Sequence, residues 1–205
     1  MSRITIDIRK GDITRVKAAA IVNPSNTTGA MVEGVSLAIR RAGGQAIEDA
    51  AIEQAPIPVG MAVATTAGSL PFRYIIHAVS MKRPRQRIPP ENIAEATRAA
   101  VETADRLGCE SLAIPDLGVR MGKVSPTEAA RAMLGAIAAY KPATLRHIVL
   151  VDVDKRMVDA WRRVRSGEDE EDRKRPHGGP GERRMPRTQA PARRRNRNRT
   201  FGRRP

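Results

Sequence analysis

Three short stretches combine residue types suited to holding an anionic ligand, and each follows a segment that reads as a β-strand. The first is Lys10-Gly-Asp-Ile-Thr14. The second is Asn23-Pro-Ser-Asn26, with Thr27, Thr28 and Gly29 after it. The third runs from Pro115 to Gly122 as Pro-Asp-Leu-Gly-Val-Arg-Met-Gly. Open α/β sheets place ligands outside the carboxyl ends of their strands. Loops of this composition turn backbone N–H groups toward anions, and a following helix adds its positive end. Each stretch also has a plainer reading. Asp12 also reads as the cap of a following turn, and Asn23 and Asn26 as residues that shape a loop through side-chain to backbone bonds. His77, ending an apolar strand, and His147 read as core residues rather than general bases. Cys109 follows Gly108 at a helix end, away from any helix N-terminus that would lower its pKa, and reads as structural. No second cysteine supplies zinc spacing, so no metal is assigned, and no residue is assigned a catalytic role or a cofactor.

The elements that must position these stretches follow from periodicity. Ile4, Ile6 and Ile8 alternate with Thr5 and Asp7, which predicts a half-buried strand, and the apolar run 18–22 predicts a buried one. Helices are expected over 31–42 and 45–54, the second ending before Pro56, and strands over 61–66 and 73–79. Ile93, Thr97, Ala100, Val101, Ala104 and Leu107 recur at helical spacing. A strand at 111–114 precedes Ser125-Pro-Thr-Glu128, which has the form of a capped helix start. A strand at 147–151 and a helix carrying Met157, Val158, Trp161 and Val164 follow. Alternation of strand and helix in the second half predicts an α/β fold of three layers, α/β/α, with helices on both faces of the sheet.

Composition divides the chain. Residues 1–165 carry 24 Lys+Arg against 16 Asp+Glu, and residues 166–205 carry 13 against 6, which together make the net charge of +15. An acidic run at 168–172 precedes an arginine-rich stretch at 173–205, whose composition is that of a disordered tail. The expected organisation is therefore one domain at 1–165 and a tail at 166–205. Arg193, Arg194, Arg195, Arg197 and Arg199 offer planar donors to phosphate and bases, and with the basic loop at 82–87 they make RNA or a ribonucleoprotein a candidate partner. The alternating N-terminus lacks the apolar core of a signal peptide, no apolar run approaches a membrane span, and the single cysteine suits a reducing setting. A cytoplasmic protein with no membrane contact is expected.

Six pieces of the chain, in register, resemble the macro domain family. They are Gly-Asp-Ile-Thr at 11–14, Ala-Ile-Val-Asn-Pro-Ser-Asn at 20–26, Ala-Ile-Arg-Arg-Ala-Gly-Gly at 38–44, Pro58-Val-Gly60, Leu70-Pro-Phe-Arg-Tyr-Ile-Ile-His77, and Ser111-Leu-Ala-Ile-Pro115 with Leu117 and Gly118. The resemblance implies a mixed central sheet and a ligand that is ADP-ribose or a related nucleotide. It implies that Asp12 accepts a bond from the adenine amino group with Ile13 beside it, and that Asn26, paired with Asn23, touches the distal ribose. Residues 32–34 and Val35, with Gly118, Val119, Arg120, Met121 and Gly122, would line two phosphate loops, where glycine admits close backbone approach.

The chain departs from the family in both loops. The usual first-loop glycine triplet reads Val32-Glu33-Gly34, and the usual Gly-Thr-Gly of the second reads Gly118-Val119-Arg120. A carboxylate at Glu33 would oppose a diphosphate by roughly 1–4 kcal/mol at about 4 Å, unless Arg120 pairs with the phosphate or with Glu33. The adenine-stacking aromatic of many relatives is replaced by Val151 and Val153, and the aspartate of the hydrolytic branch by Ser36. Binding is therefore expected ahead of ADP-ribosyl hydrolysis. The alternative is a macro fold that has lost its nucleotide and works on RNA through its basic surface and tail.

Overall fold

The computed structural model describes residues 4–168. Among the described residues there are six strands: β1 (Thr5–Lys10), β2 (Ala20–Asn26), β3 (Ala62–Thr65), β4 (Tyr74–Met81), β5 (Ser111–Ile114) and β6 (His147–Asp152). They form one sheet in the order β1-β6-β5-β2-β4-β3. All neighbours are parallel except the edge strand β3, which runs antiparallel to β4.

Strand parity divides the core in two. Ala20, Val22, Ile76, Ala78, Leu112, Ile114, Ile148 and Leu150 face one way and pack with α3 (Pro90–Arg106), α5 (Pro126–Ala139) and α6 (Lys155–Ser166). Ile21, Ile75, Ala113, Val149 and Val151 face the other way, against Ile39 of α1 (Gly34–Gly43), Ile47 of α2 (Ala46–Ile52) and Ile13. With apolar residues on both faces, the central strands read as continuous hydrophobic runs. The result is the expected three-layer α/β/α arrangement with a mixed sheet.

Local chemistry sets the ends of the elements. Ser125 and Glu128 form a full capping box at the start of α5, with Pro126 in the first turn. Pro90 starts α3, whose Ile93, Thr97, Ala100, Val101 and Ala104 are buried as their spacing predicts. At the other end, α6 passes residue 165 and stops at Gly167, in the left-handed conformation.

Three expectations change. β2 runs on to Asn26, through Pro24, instead of stopping at residue 22. Its pairing with β5 covers only Ala20 and Ile21, so Pro24 lies where that side of the strand has no ladder to break. The segment after Gly118 is not open loop but a short turn of helix, α4 (Val119–Gly122). His147 is not a core residue: it lies half exposed at the start of β6, with its Nε2 3.6 Å from an Asp7 carboxylate oxygen.

His77 and Cys109 are buried as expected. Burial alone lowers the His77 pKa to about 4, so the ring is neutral at physiological pH. Burial pushes the Cys109 thiol up, away from the reactive range.

Candidate functional site

The carboxyl ends of β1, β2, β5 and β6 open onto two adjoining clefts that share Gly34, Val35 and Arg120 as walls. One lies beside Gly11, Asp12, Ile13, Pro115, Val151 and Val153. The other lies beside Pro24, Asn26, Glu33, Ser36, Asp116 and Met121. Met121 narrows the boundary between them. Its Cε stands 3.8 Å from where a Cβ on Gly34 would be, and Gly34 has a φ of +62° that favours glycine.

At the first cleft Asp12 is exposed, and its Oδ1 accepts from the Thr14 N–H at 2.9 Å and the Thr14 hydroxyl at 2.8 Å. It caps the single 3-10 turn Ile13–Arg15, and both contacts fall on one oxygen, so Oδ2 keeps its acceptor capacity. Ile13 is buried below, in the α1–α2 side of the core.

At the second cleft Asn26 accepts from the Thr28 N–H at 2.9 Å and the Thr28 hydroxyl at 2.6 Å, so it shapes the 27–30 turn at the cleft wall. Asn23 does not join it. It is fully buried, with Nδ2 3.0 Å from His77 Nδ1, while Thr65 Oγ1 lies 2.9 Å from His77 Nε2. The odd spacing of 23 and 26 turns them to opposite faces of a strand, a signal the sequence holds once β2 is known to include both.

The charged side chains of the two altered loops are paired, though not with each other. Glu33 takes its ion pair from Arg85, at 3.0 Å, and Arg120 pairs with Asp152, at 3.5 Å, so a Glu33–Arg120 pair does not form. Arg85 is 77% exposed and Glu33 28%, so this link contributes little to stability. It does bring Arg85 of the 82–87 loop to Glu33, which lines the second cleft. Ser36 lines the same cleft and donates to the Pro24 carbonyl at 2.8 Å.

Sequence reasoning passed over two carboxylates. Asp116 accepts from the N–H groups of Gly118 (2.8 Å), Val119 (2.8 Å) and Arg120 (3.3 Å). Burial raises its carboxyl above the ordinary value and the nearby Asp152 charge adds to this, against the pull of the N–H bonds. An aspartate two residues before glycine is itself a capping signal, so this contact was legible. Glu48 of α2 is buried and accepts from the Met31 N–H at 2.5 Å, Arg40 at 2.6 Å and Gln45 at 2.8 Å. It ties down the chain just before Val32-Glu33-Gly34, and nothing local in the sequence announces that partner.

The glycines of the second loop serve packing. A Cβ on Gly118 would collide with Ile93 of α3, and one on Gly122 would come within 2.7 Å of Ile88. Both point into the core rather than across the cleft, so Gly118 and Gly122 owe their small size to the 88–93 segment. Val119 is half-buried against that core, and of the loop side chains Arg120 and Met121 reach the clefts.

Comparison with known proteins decides the family. The Macro domain family profile matches residues 22–133. An uncharacterized protein of Aquifex aeolicus is 47% identical over 159 residues, covering 78% of this chain and 96% of its own.

The chain belongs to the macro domain family.

A second uncharacterized relative, from Aeropyrum pernix, is 41% identical over 160 residues, covering 78% of this chain and 83% of its own. Among solved structures, a mutant of the Oceanobacillus iheyensis macrodomain with ADPR superposes with a TM-score of 0.70 at 25% identity, covering 80% of this chain and 92% of that one. A Trypanosoma brucei macrodomain in complex with ADP-ribose shares the fold, with a TM-score of 0.70 at 21% identity, over 79% of this chain and 68% of that one. The two clefts of this macro domain lie on loops that the sequence resemblance marks as the ligand-bearing ones. Among the described residues no helix is long and apolar enough to cross a membrane.

Proposed function

We propose that this macro domain binds ADP-ribose or a closely related nucleotide across its two adjoining clefts, as a binding module rather than a hydrolase. The observation that carries the reading is the placement of Asp12 at one end of the crevice and Asn26 at the other, with Gly34 and Arg120 between them. An adenine amino group would bond Asp12 Oδ2, and a distal ribose would lie against Asn26. Binding without hydrolysis is favoured by Ser36, a neutral residue whose hydroxyl is already bonded to Pro24.

Calorimetric titration of the full chain with ADP-ribose tests this. Saturable binding is expected, weakened roughly ten- to hundredfold in Asp12→Ala, the loss of one hydrogen bond to a charged acceptor. Equal affinity in both proteins, each with a cooperative melt, would remove the basis for the adenine assignment.

A second reading concerns the tail. Arg193, Arg194, Arg195, Arg197 and Arg199 lie outside the described residues, as do 169–205 as a whole. Their charge favours a nucleic-acid arm: residues 173–205 hold 13 Lys+Arg and one acidic residue. Binding to a single-stranded RNA should then fall steeply with added salt and drop on deletion of 173–205. Salt-independent or tail-independent binding would contradict it.

A further inference from the structure

The backbone amides of the second loop already hold an anion, and it is the protein's own. Gly118, Val119 and Arg120 direct three successive N–H groups onto the Asp116 carboxylate. Converging amides of this kind are what a free anion would seek. Asp116 is part-buried and lines the second cleft, so a phosphate placed there would approach its carboxylate and compete with it for the same donors.

The cations that could offset this are engaged. Arg120, the one cationic residue among the described residues lining the two clefts, pairs with Asp152, and Arg85 pairs with Glu33. The middle of the crevice therefore presents Glu33, Asp116 and Asp152, with Arg85 and Arg120 each already paired to a carboxylate. Opposed charges in a partly desolvated cleft interact more strongly than in water, so the balance bears on any ligand with a charged centre.

We propose that Asp116 is a specificity-determining residue, a built-in substitute for phosphate that sets this macro domain against the doubly charged centre of a diphosphate ligand. The inference rests on the nucleotide reading and deepens it: the crevice keeps the ends that recognise adenine and ribose and selects among ligands by the charge between them.

Titration of the full chain and of Asp116→Asn and Asp116→Ala with ADP-ribose, and with adenosine as a probe lacking phosphate, tests the proposal. The asparagine variant keeps an acceptor for the Gly118 and Val119 amides but drops the charge, which holds the loop together should the alanine variant melt early. ADP-ribose affinity should rise a fewfold in Asp116→Asn and roughly tenfold or more in Asp116→Ala, while adenosine affinity stays within about twofold. Unchanged or weaker ADP-ribose binding in folded Asp116→Asn overturns the proposal, and so does an equal gain for adenosine, which would place the effect outside the phosphate region. These results leave the nucleotide reading standing if wild type binds ADP-ribose through Asp12. Absence of ADP-ribose binding in wild type and both variants overturns the nucleotide reading itself and this proposal with it.

Discussion

Replacing Asp105 with alanine is expected to destabilise the domain by roughly 2–4 kcal/mol, the cost of leaving the buried Leu145 N–H and three part-buried donors without their acceptor. Asp105 lies in the last turn of α3 and is buried. Its Oδ1 accepts from the Thr144 and Leu145 N–H groups at 2.6 Å each, and its Oδ2 from the Ala143 N–H at 2.9 Å and the Tyr140 hydroxyl at 2.8 Å. One carboxylate thus fastens the 140–145 connection, which delivers β6 to its place between β1 and β5.

Burial would raise this carboxyl, but the three amides and the Tyr140 hydroxyl outweigh it and bring the pKa down to about 2. Because the folded value is depressed below the ordinary 3.8, the contribution is present above that value and is lost as pH falls through it toward 2. Thermal melts between pH 6 and pH 2 should show wild type losing stability faster than Asp105→Asn in the acid range, with the two curves converging at the bottom. Parallel curves would show that Asp105 is not the group responsible.

Glu48→Ala is expected to cost about 2–4 kcal/mol and to weaken ligand binding as well, although Glu48 lines neither cleft. Burial opposes its charge, yet the Met31 amide, Arg40 and Gln45 together hold its pKa below the ordinary glutamate value. Removing it strands the Met31 N–H in the core, since Met31 is fully buried, and leaves Arg40 without its carboxylate. The segment entering the first loop then loses its anchor. Hydrogen exchange at the Met31 amide should accelerate far more than at amides of β5, and the ADP-ribose affinity should fall in parallel. In Glu48→Gln, which can still accept from Met31 N–H, exchange there should remain slow. Equal melting temperatures and unchanged Met31 exchange in the alanine variant would show that this carboxylate does not hold the loop.

These carboxylates differ in how visible they were. Asp116 stands inside a stretch that the sequence had already singled out, and its contacts reach only two to four residues ahead, so a capping reading was available. Glu48 acts on a residue 17 positions earlier, and Asp105 on a segment beginning 35 positions later. Such pairings depend on which loops the sheet brings together, and periodicity carries no record of that.

The same contrast separates Asn26 from Asn23. Seen as a loop motif, the two asparagines look like a pair. As part of a strand they face opposite ways, and the buried ring of His77 takes Asn23 because β2 and β4 pair with residue 23 beside residue 77. The expected end of β2 was four residues short because the apolar run stops at Val22, and the early end of the β5 pairing is what makes Pro24 acceptable in the strand beyond it.

By itself the sequence determined the class of fold, the faces of α3 and α6, the capping box of α5, the burial of His77 and Cys109, and the three loops that meet at the crevice. These follow from local periodicity, turn chemistry and the order of motifs, all of which are properties of neighbouring residues. Only the tertiary structure decided how the charges divide: Arg85 with Glu33, Arg120 with Asp152, and Asp116 with the amides of its own loop. An ion pair or a buried acceptor is chosen by distance and desolvation in the assembled molecule. Residues 33 and 85 become neighbours only when β2 and β4 lie side by side.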